Sequence, residues 1–205
     1  MTIILADGRF PEHEIPLGFL NKAEHIICCD GSAETLLAKG LVPEAIVGDL
    51  DSLSDDTASK FADRLFRDND QETNDLTKAV RWCTDKGYND IVILGATGKR
   101  EDHTVGNISL LAEYASLVKI KMVTDTGTFI PLLKGSEINS FPGQQVSVFS
   151  IDPETKITSE GLRYRLDDLK LGNWWRATLN EAEGHSFSLR FNGGPVLVFL
   201  AFSDV

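Results

Sequence analysis

The stretch Ile91–His103, IVILGATGKREDH, contains the pattern that decides the fold. It begins with four apolar residues, Ile91–Leu94, whose β-branched side chains are typical of a short buried strand. A turn with two glycines follows, and residues 102–115 then carry an apolar side chain at every third or fourth position. A strand that leads directly into an amphipathic helix predicts a βαβ arrangement and a parallel sheet.

The same alternation runs through the first 130 residues. Further short apolar runs, each predicted to be a buried strand, occur at Ile3–Leu5, Ile26–Cys29, Ala45–Val47 and Val118–Val123. Helical patterns lie between several of them, at Glu34–Lys39 before Gly40 and at Thr73–Lys86 before Gly87. We therefore predict an α/β domain over residues 1–130, with a mainly parallel, Rossmann-like sheet and helices on both of its faces.

The pattern changes after about residue 130, where no helical stripe is found. Four segments with strand character are separated by turn sequences: Gln145–Ile151, Gly161–Leu166, Ser186–Phe191 and Val196–Phe202. Several short strands joined by turns indicate a small all-β sandwich domain, which we predict over residues 131–205.

Charge and cysteine content exclude several classes of protein. The 20 basic and 31 acidic residues give a net charge of −11, so neither nucleic acid nor an anionic membrane is an expected partner. Three cysteines, two of them adjacent, match neither a disulfide framework nor a zinc site. The first residues lack a signal peptide, and the longest apolar run is too short to span a bilayer. We expect a soluble cytoplasmic protein.

Acidic residues follow four of the predicted strands: Asp7, Asp30, the pair Asp49 and Asp51, and Asp125. Ligands of open parallel sheets bind beside the carboxyl ends of the strands, so this edge is expected to bind a metal. In extended chain, Asp49 and Asp51 point the same way, and paired carboxylates suit Mg²⁺. Aspartate is also common in turns, and Asp51 or Ser52 could simply cap a helix.

Two helix starts add further candidates. Thr73 or Asn74 caps the helix that carries Asp75 in its first turn. An acidic side chain at that place also interacts favourably with the helix dipole, whatever its function. The turn Gly95–His103 combines backbone N–H groups, adjacent cations and a helix start, which is typical of an anion site. Its spacing is not that of a Walker A loop. At the end of this turn, Asp102 could be only the N-cap of the helix, and His103 only a residue of its first turn.

Three segments, in this order, resemble the thiamin pyrophosphokinase family. They are Gly48–Ser52, Asp75–Ala79, and Gly95–His103 followed by Asn107. The pair Asp30-Gly31 and the segment Gly161–Tyr164 are similar to two further family patterns, so the resemblance covers nearly the whole chain.

The resemblance implies an enzyme that transfers diphosphate from ATP to the hydroxyl of thiamin, giving thiamin diphosphate and AMP. It also implies a homodimer with active sites between subunits. The implied catalytic residues are Asp49, Asp51, Asp75, Arg100 and Asp102, the first three as ligands of Mg²⁺, with Asp102 or Asp75 orienting the hydroxyl. The implied ATP-binding residues are Asp30, Gly31, Ser52, Gln71, Lys78, Thr97, Gly98, Lys99, Arg100 and His103. The implied thiamin-binding residues are Asn107, Tyr164, Thr178 and Asn180.

The chain departs from the family pattern at three places. Leu179 stands where the family has a serine before Asn180, Ser32 follows Asp30-Gly31 in place of a second glycine, and Lys99 stands where glycine is common. Trp174 and Trp175, expected in a strand, would face opposite ways, so at most one of them would contact thiamin.

Three other functions remain open from sequence. They are diphosphate transfer to another alcohol such as a pterin, a nucleotide-sugar glycosyltransferase that uses Asp49 and Asp51, and a nucleotide- or thiamin-binding sensor. The sensor is disfavoured, because sensing needs no cluster of metal-type carboxylates.

Overall fold

The strands predicted in the first 130 residues pair side by side in the structure, a computed structural model that describes residues 1–203. The chain divides into two units. The first comprises Met1–Leu110 and Leu117–Asp125, and the second comprises Leu111–Ser116 and the residues from Thr126 onward. Residues 204 and 205, which end the predicted β domain, lie outside the described part.

Six parallel strands form the sheet of the first unit, in the order β6-β5-β1-β2-β3-β4. They are β1 (Thr2–Leu5), β2 (His25–Cys29), β3 (Ala45–Gly48), β4 (Leu65–Arg67), β5 (Asp90–Leu94) and β6 (Lys119–Val123). In the centre of the sheet, Ile4 of β1 lies opposite Ile27 and Ile93, and all three are fully buried. The apolar runs are thus strands of a parallel sheet, as predicted.

Helices α1 to α5 belong to the βα connections of this sheet. They are α1 (Glu14–Asn21), α2 (Ser32–Ala38), α3 (Asp55–Lys60), α4 (Asp75–Asp85) and α5 (Glu101–Tyr114). The helix predicted from Thr73 begins at Asp75, because extended Asn74 is its N-cap and accepts a hydrogen bond from the Thr77 N–H. The predicted apolar stripe of α4 is buried. Three short elements, α1, α3 and β4, were not predicted from the sequence.

The second unit contains two antiparallel sheets, with the orders β12-β9-β14-β7 and β11-β10-β13-β8. The strands are β7 (Gly127–Leu132), β8 (Ser136–Asn139), β9 (Gln145–Ser150), β10 (Lys156–Glu160), β11 (Leu169–Lys170), β12 (Asn180–Glu181), β13 (Ser186–Asn192) and β14 (Val196–Ala201). Val148 and Val198 of one sheet and Ile157 and Leu189 of the other belong to one buried cluster. The predicted α/β fold followed by a β-sandwich is confirmed.

Two local predictions for the second unit are wrong. Gly161–Leu166 is not a strand: Gly161 has a φ of +79°, and Leu162 makes only an isolated bridge to Ala182. Trp174 and Trp175 lie in a short 3₁₀ helix, Trp174–Ala177, so the alternation of a strand does not apply to them. Within residues 1–203, no helix is long and apolar enough to cross a membrane.

Candidate functional site

A pocket of about 430 Å³ in the first unit is lined by residues that follow β1, β2, β3 and β5 or that begin α4 and α5. Twelve of the residues that the family resemblance implies to be catalytic or substrate-binding line it: Asp30, Asp49, Asp51, Ser52, Gln71, Asp75, Lys78, Thr97, Lys99, Arg100, His103 and Asn107. Gly31, Gly98 and Asp102 are not among the lining residues. The carboxyl ends of the parallel strands therefore bring most of these side chains together.

Three carboxylates form the acidic end of this pocket. One oxygen each of Asp30, Asp49 and Asp51 lies within 4.8 Å of the other two. The prediction that Asp49 and Asp51 point the same way because the backbone is extended is wrong. Leu50 between them is buried and has a left-handed φ of +62°, so the chain turns there. Asp30 is also left-handed, with φ +39°, which is backbone strain of the kind found at ligand sites.

Asp30 is the most buried member of the cluster, with 5% of its surface exposed. Its Oδ2 accepts the backbone N–H of Ser52 at 3.3 Å, whereas its Oδ1 has no hydrogen-bond partner in the described part of the chain. Burial raises the pKa of Asp30 to about 6, and the charges of Asp75 and Asp49 add to this, against the bonds from Ser52. A divalent cation would satisfy the unpartnered oxygen, so these residues fit a hard metal ion.

Asp75 is placed differently from the other acids. Its Oδ1 is 3.0 Å from Nζ of Lys78, a side chain that is only 3% exposed. Although burial opposes it, the hydrogen bond and charge of Asp75 raise the pKa of Lys78. A Cβ on Gly48 would lie 3.1 Å from both Asp30 Cβ and Asp75 Oδ1, so Asp75 lies beside the acidic cluster.

Two cations lie on the loop after β5. Lys99 Nζ donates to Asp7 Oδ1 at 3.0 Å, and Arg100 makes two hydrogen bonds to the Asp102 carboxylate. Arg100 lowers the pKa of Asp102 to about 2, with a further contribution from the His103 N–H. Both cations are exposed and held by exposed acids, so an incoming phosphate can compete for them at little cost.

Glu34 on α2, which the sequence analysis did not single out, fixes the loop that carries Asp49 and Asp51. Its carboxylate accepts the Ser54 N–H at 3.0 Å, the Ser54 hydroxyl at 2.8 Å and the Thr57 hydroxyl at 3.0 Å. The Ser54 bonds lower the pKa of Glu34. No local sequence signal points to Glu34, because its partners lie on another helix start.

Asp125, expected at the metal-binding edge, is not a lining residue of the pocket. Its Oδ1 accepts the backbone N–H groups of Glu12 and His13, at 3.0 Å each, just before α1. This aspartate therefore helps to fix the start of a helix, which is a common role for aspartate in turns.

In the second unit, Asn180 supports a loop. It is buried, its Oδ1 accepts the Tyr164 N–H at 3.0 Å, and its Nδ2 donates to the Tyr164 carbonyl at 2.7 Å. The Thr178 hydroxyl donates to the Trp175 carbonyl. Tyr164 and Trp175 are 62% and 73% exposed, whereas Trp174 packs edge-on against Phe149. The exposed aromatic side chains near Asn180 are thus Tyr164 and Trp175.

Comparisons with known proteins cover both units. Residues 18–123 match the family model described as thiamin pyrophosphokinase, catalytic domain, and residues 127–199 match that described as thiamin pyrophosphokinase, substrate-binding domain. Thiamin pyrophosphokinase 1 of Caenorhabditis elegans is 28% identical over 166 residues, which are 74% of this chain and 68% of that protein. Thiamine pyrophosphokinase of Bacillus subtilis is 28% identical over 177 residues, 80% of this chain and 81% of that protein.

Solved structures show the same fold. The crystal structure of thiamine pyrophosphokinase from Bacillus subtilis matches with a TM-score of 0.78 and 23% identity, over 99% of this chain and 100% of that one. Thiamin pyrophosphokinase from Candida albicans matches with a TM-score of 0.79 and 19% identity, over 98% and 89%.

The raised pKa of Asp30 predicts a pH-dependent cost in stability. Above pH 6 the buried carboxylate is ionised in the folded state, which lowers the free energy of unfolding. This loss of stability disappears below pH 3.8, the ordinary pKa of an aspartate, because the carboxyl is then protonated in both the folded and the unfolded state. We expect Asp30→Asn, whose side chain tolerates left-handed backbone, to stabilise the metal-free protein by about 1–3 kcal/mol at pH 8. The gain should disappear below pH 4. Urea unfolding in EDTA at both pH values measures this, with exposed Asp51→Asn as the control. Equal stability of Asp30→Asn and the unmodified protein at pH 8 would contradict the assignment.

Proposed function

Because the chain belongs to the thiamin pyrophosphokinase family, we propose that the pocket of the first unit is where it transfers diphosphate from ATP to thiamin. The observation that carries this proposal is the cluster of Asp30, Asp49 and Asp51 in one pocket with Lys99 and Arg100. Carboxylates for a cation and basic groups for phosphate are the two needs of phosphoryl transfer. In the reaction, the thiamin hydroxyl oxygen bonds to the β-phosphorus, the bond from that phosphorus to the α–β bridging oxygen breaks, and AMP leaves.

We assign a Mg²⁺ site to Asp49 and Asp51, with Asp30 supplying its unpartnered buried oxygen. Asp75, a ligand implied by the family resemblance, has its Oδ1 on Lys78, so its Oδ2 remains for the metal. Bound Mg²⁺ would neutralise phosphate oxygens of ATP. The left-handed backbone at Asp30 and Leu50 supports this proposal, because such strain persists where a ligand site demands it.

The basic residues of the pocket have two different roles. Arg100, with Lys99, would bind the transferring phosphates, and the buried Lys78 would hold Asp75 in place. The thiamin hydroxyl must be oriented toward the β-phosphorus, and its proton passes to solvent when the new bond forms. Asp75 lines the pocket whereas Asp102 does not and is bound by Arg100, which favours Asp75 as the residue that orients the hydroxyl and gives Asp102 the role of positioning Arg100.

We further propose that the second unit binds thiamin and that the enzyme is a homodimer with active sites between subunits. This assigns nucleotide binding to residues 1–130, and thiamin binding and dimerisation to 131–205. The exposed ring of Tyr164 supports it, because aromatic faces attract a flat cation such as a thiazolium. The Tyr164 loop is fixed by Asn180, so that asparagine would act on thiamin through the loop.

We also propose a cytoplasmic location. The three cysteines are buried and free, and burial raises the pKa of Cys28 and Cys83 to about 12. Buried free thiols of this kind suit a reducing compartment, where nothing favours their oxidation.

Loss of a metal carboxylate should abolish turnover without unfolding the protein. We expect Asp49→Asn and Asp51→Asn each to lower kcat by more than about a hundredfold, because the charge on the transferring phosphates is no longer neutralised. Asp56→Asn, on an exposed part of α3 outside the pocket, is the matched control and should keep full activity. AMP formation at saturating Mg²⁺ and the unfolding temperature are measured together. Near-normal turnover in either pocket variant would refute the metal assignment.

Arg100 should need its guanidinium, not only its charge. We expect Arg100→Lys to raise the KM for ATP and lower kcat, together about a tenfold to hundredfold loss in kcat/KM, since a lysine cannot make the paired hydrogen bonds of a guanidinium. Steady-state kinetics at fixed thiamin measure both constants, and Arg81→Lys on α4, outside the pocket, is the control. Full activity in Arg100→Lys would reduce Arg100 to a surface cation.

Mixed dimers test whether sites are shared. Tyr164→Ala should raise the KM for thiamin by about tenfold and leave ATP binding unchanged, whereas Tyr164→Phe, which keeps the ring, should not. At thiamin concentrations well below the KM, a dimer of one Tyr164→Ala chain and one Asp49→Asn chain would contain one intact site and be more active than either parent dimer. If the mixed dimer is no more active than its parents, the shared site is wrong.

A further inference from the structure

The segment Ala6–Arg9 lies along the loop that carries Lys99 and Arg100. It directly follows β1 and is outside residues 18–123, the stretch that matches the family's catalytic domain. The backbone N–H groups of Ala6, Gly8 and Arg9 donate to the carbonyls of Leu94, Gly95 and Thr97, at 2.9, 2.6 and 2.8 Å in that order. The pairing of β1 with β5 is thus continued beyond both strands, into the turn itself.

The two segments approach so closely at three glycines that no side chain fits there. A Cβ on Gly8 would lie 2.3 Å from the Gly95 carbonyl oxygen and 2.5 Å from that of Thr97. Across the contact, a Cβ on Gly95 would lie 2.8 Å from the Ala6 carbonyl oxygen, and one on Gly98 2.8 Å from the Arg9 Cβ. Most of these neighbours are backbone atoms, so rotating a side chain cannot relieve the crowding.

An ion pair joins the same two segments inside the pocket. Asp7 and Lys99 both line the pocket, with the Lys99 Nζ 3.0 Å from Asp7 Oδ1. Lys99 is one of the positions where the chain departs from the family pattern, in which glycine is common there. The chain therefore has an additional cation in its anion-binding loop and an acid that holds it.

We propose that Ala6–Arg9 is a brace that fixes the Gly95–Lys99 loop in its anion-binding conformation, and that Asp7 is a positioning residue acting through Lys99. The inference rests on the proposed function, in which this loop receives the triphosphate of ATP. A loop fixed before the nucleotide arrives does not have to be ordered on binding, which favours both affinity and transition-state stabilisation. Lys99 also cancels the charge of Asp7, which would otherwise repel the triphosphate.

The close contact of Gly8 supplies the first test. Gly8→Ala needs the loop to move by about 1 Å, a displacement that can cost about a hundredfold in kcat/KM for ATP. Gly18→Ala is the matched control, because a Cβ there meets no atom of residues 1–203 within 4 Å, and it should keep full activity. A folded Gly8→Ala protein with unchanged kcat/KM would overturn the brace.

A charge cycle tests the brace even if Gly8→Ala does not fold. Lys99→Met should raise the KM for ATP, since it leaves the Asp7 carboxylate uncompensated in the pocket. Adding Asp7→Asn should lower that KM again by about twofold to fivefold, the range expected for an exposed ion pair, with little change in the KM for thiamin. If the Asp7–Lys99 pair had only a structural role, these substitutions would change the unfolding temperature and leave the KM for ATP unchanged. Additive effects of the two substitutions on the KM would overturn the role of Asp7.

The same kinetic series separates this inference from the proposed function. If Arg100→Lys leaves the KM and kcat for ATP unchanged, the loop does not bind the triphosphate and the proposed function fails. If Arg100→Lys weakens catalysis while Gly8→Ala and the Asp7–Lys99 cycle have no effect, the site assignment stands and the brace alone is wrong.

Discussion

Burial of the Asp30 carboxylate beside other carboxylates, at the carboxyl ends of β2 and β3, is the constraint on which the rest of the site depends. Asp30, Asp49 and Asp51 have oxygens within 4.8 Å of one another, and one oxygen of Asp30 is buried without a hydrogen-bond partner among residues 1–203. Such an arrangement costs folding free energy, so other parts of the fold must hold it. The buried strands of the parallel sheet fix the ends of β2 and β3, Glu34 ties down the loop after Asp51, and Lys78 supplies a buried positive charge nearby. Binding of the proposed cation would regain this cost.

The part of the pocket formed by the loop after β5 is built on main-chain contacts. There the loop after β5 is held against the segment after β1 by main-chain hydrogen bonds and by glycines that permit close approach. The cations of this loop are exposed and are paired with exposed acids, so a phosphate can contact them without a large desolvation cost. A rigid loop with exchangeable side-chain partners suits a site that binds and releases a nucleotide in every turnover.

Much of the fold could be predicted from sequence, because buried parallel strands are short apolar runs and α4 has a clear apolar stripe. Short elements such as α1 and β4 were missed because they have too few residues for a periodic signal. Most candidate site residues do line one pocket, since strand ends converge whatever the turns between them. The turn at Leu50, the burial of Asp30 and the partners of Asn180 depend on contacts distant in sequence, which no local pattern contains.

The central claim, that the acidic end of the pocket binds a divalent cation together with the triphosphate, can be tested by one diffraction experiment. Crystals of the unmodified enzyme grown with Mn²⁺ and α,β-methylene-ATP, which cannot release AMP, would locate the metal by its anomalous signal. The account predicts a single strong peak in contact with carboxylate oxygens of Asp49 and Asp51 and with a phosphate oxygen of the nucleotide. A nucleotide bound in the pocket with its metal away from both aspartates would contradict it.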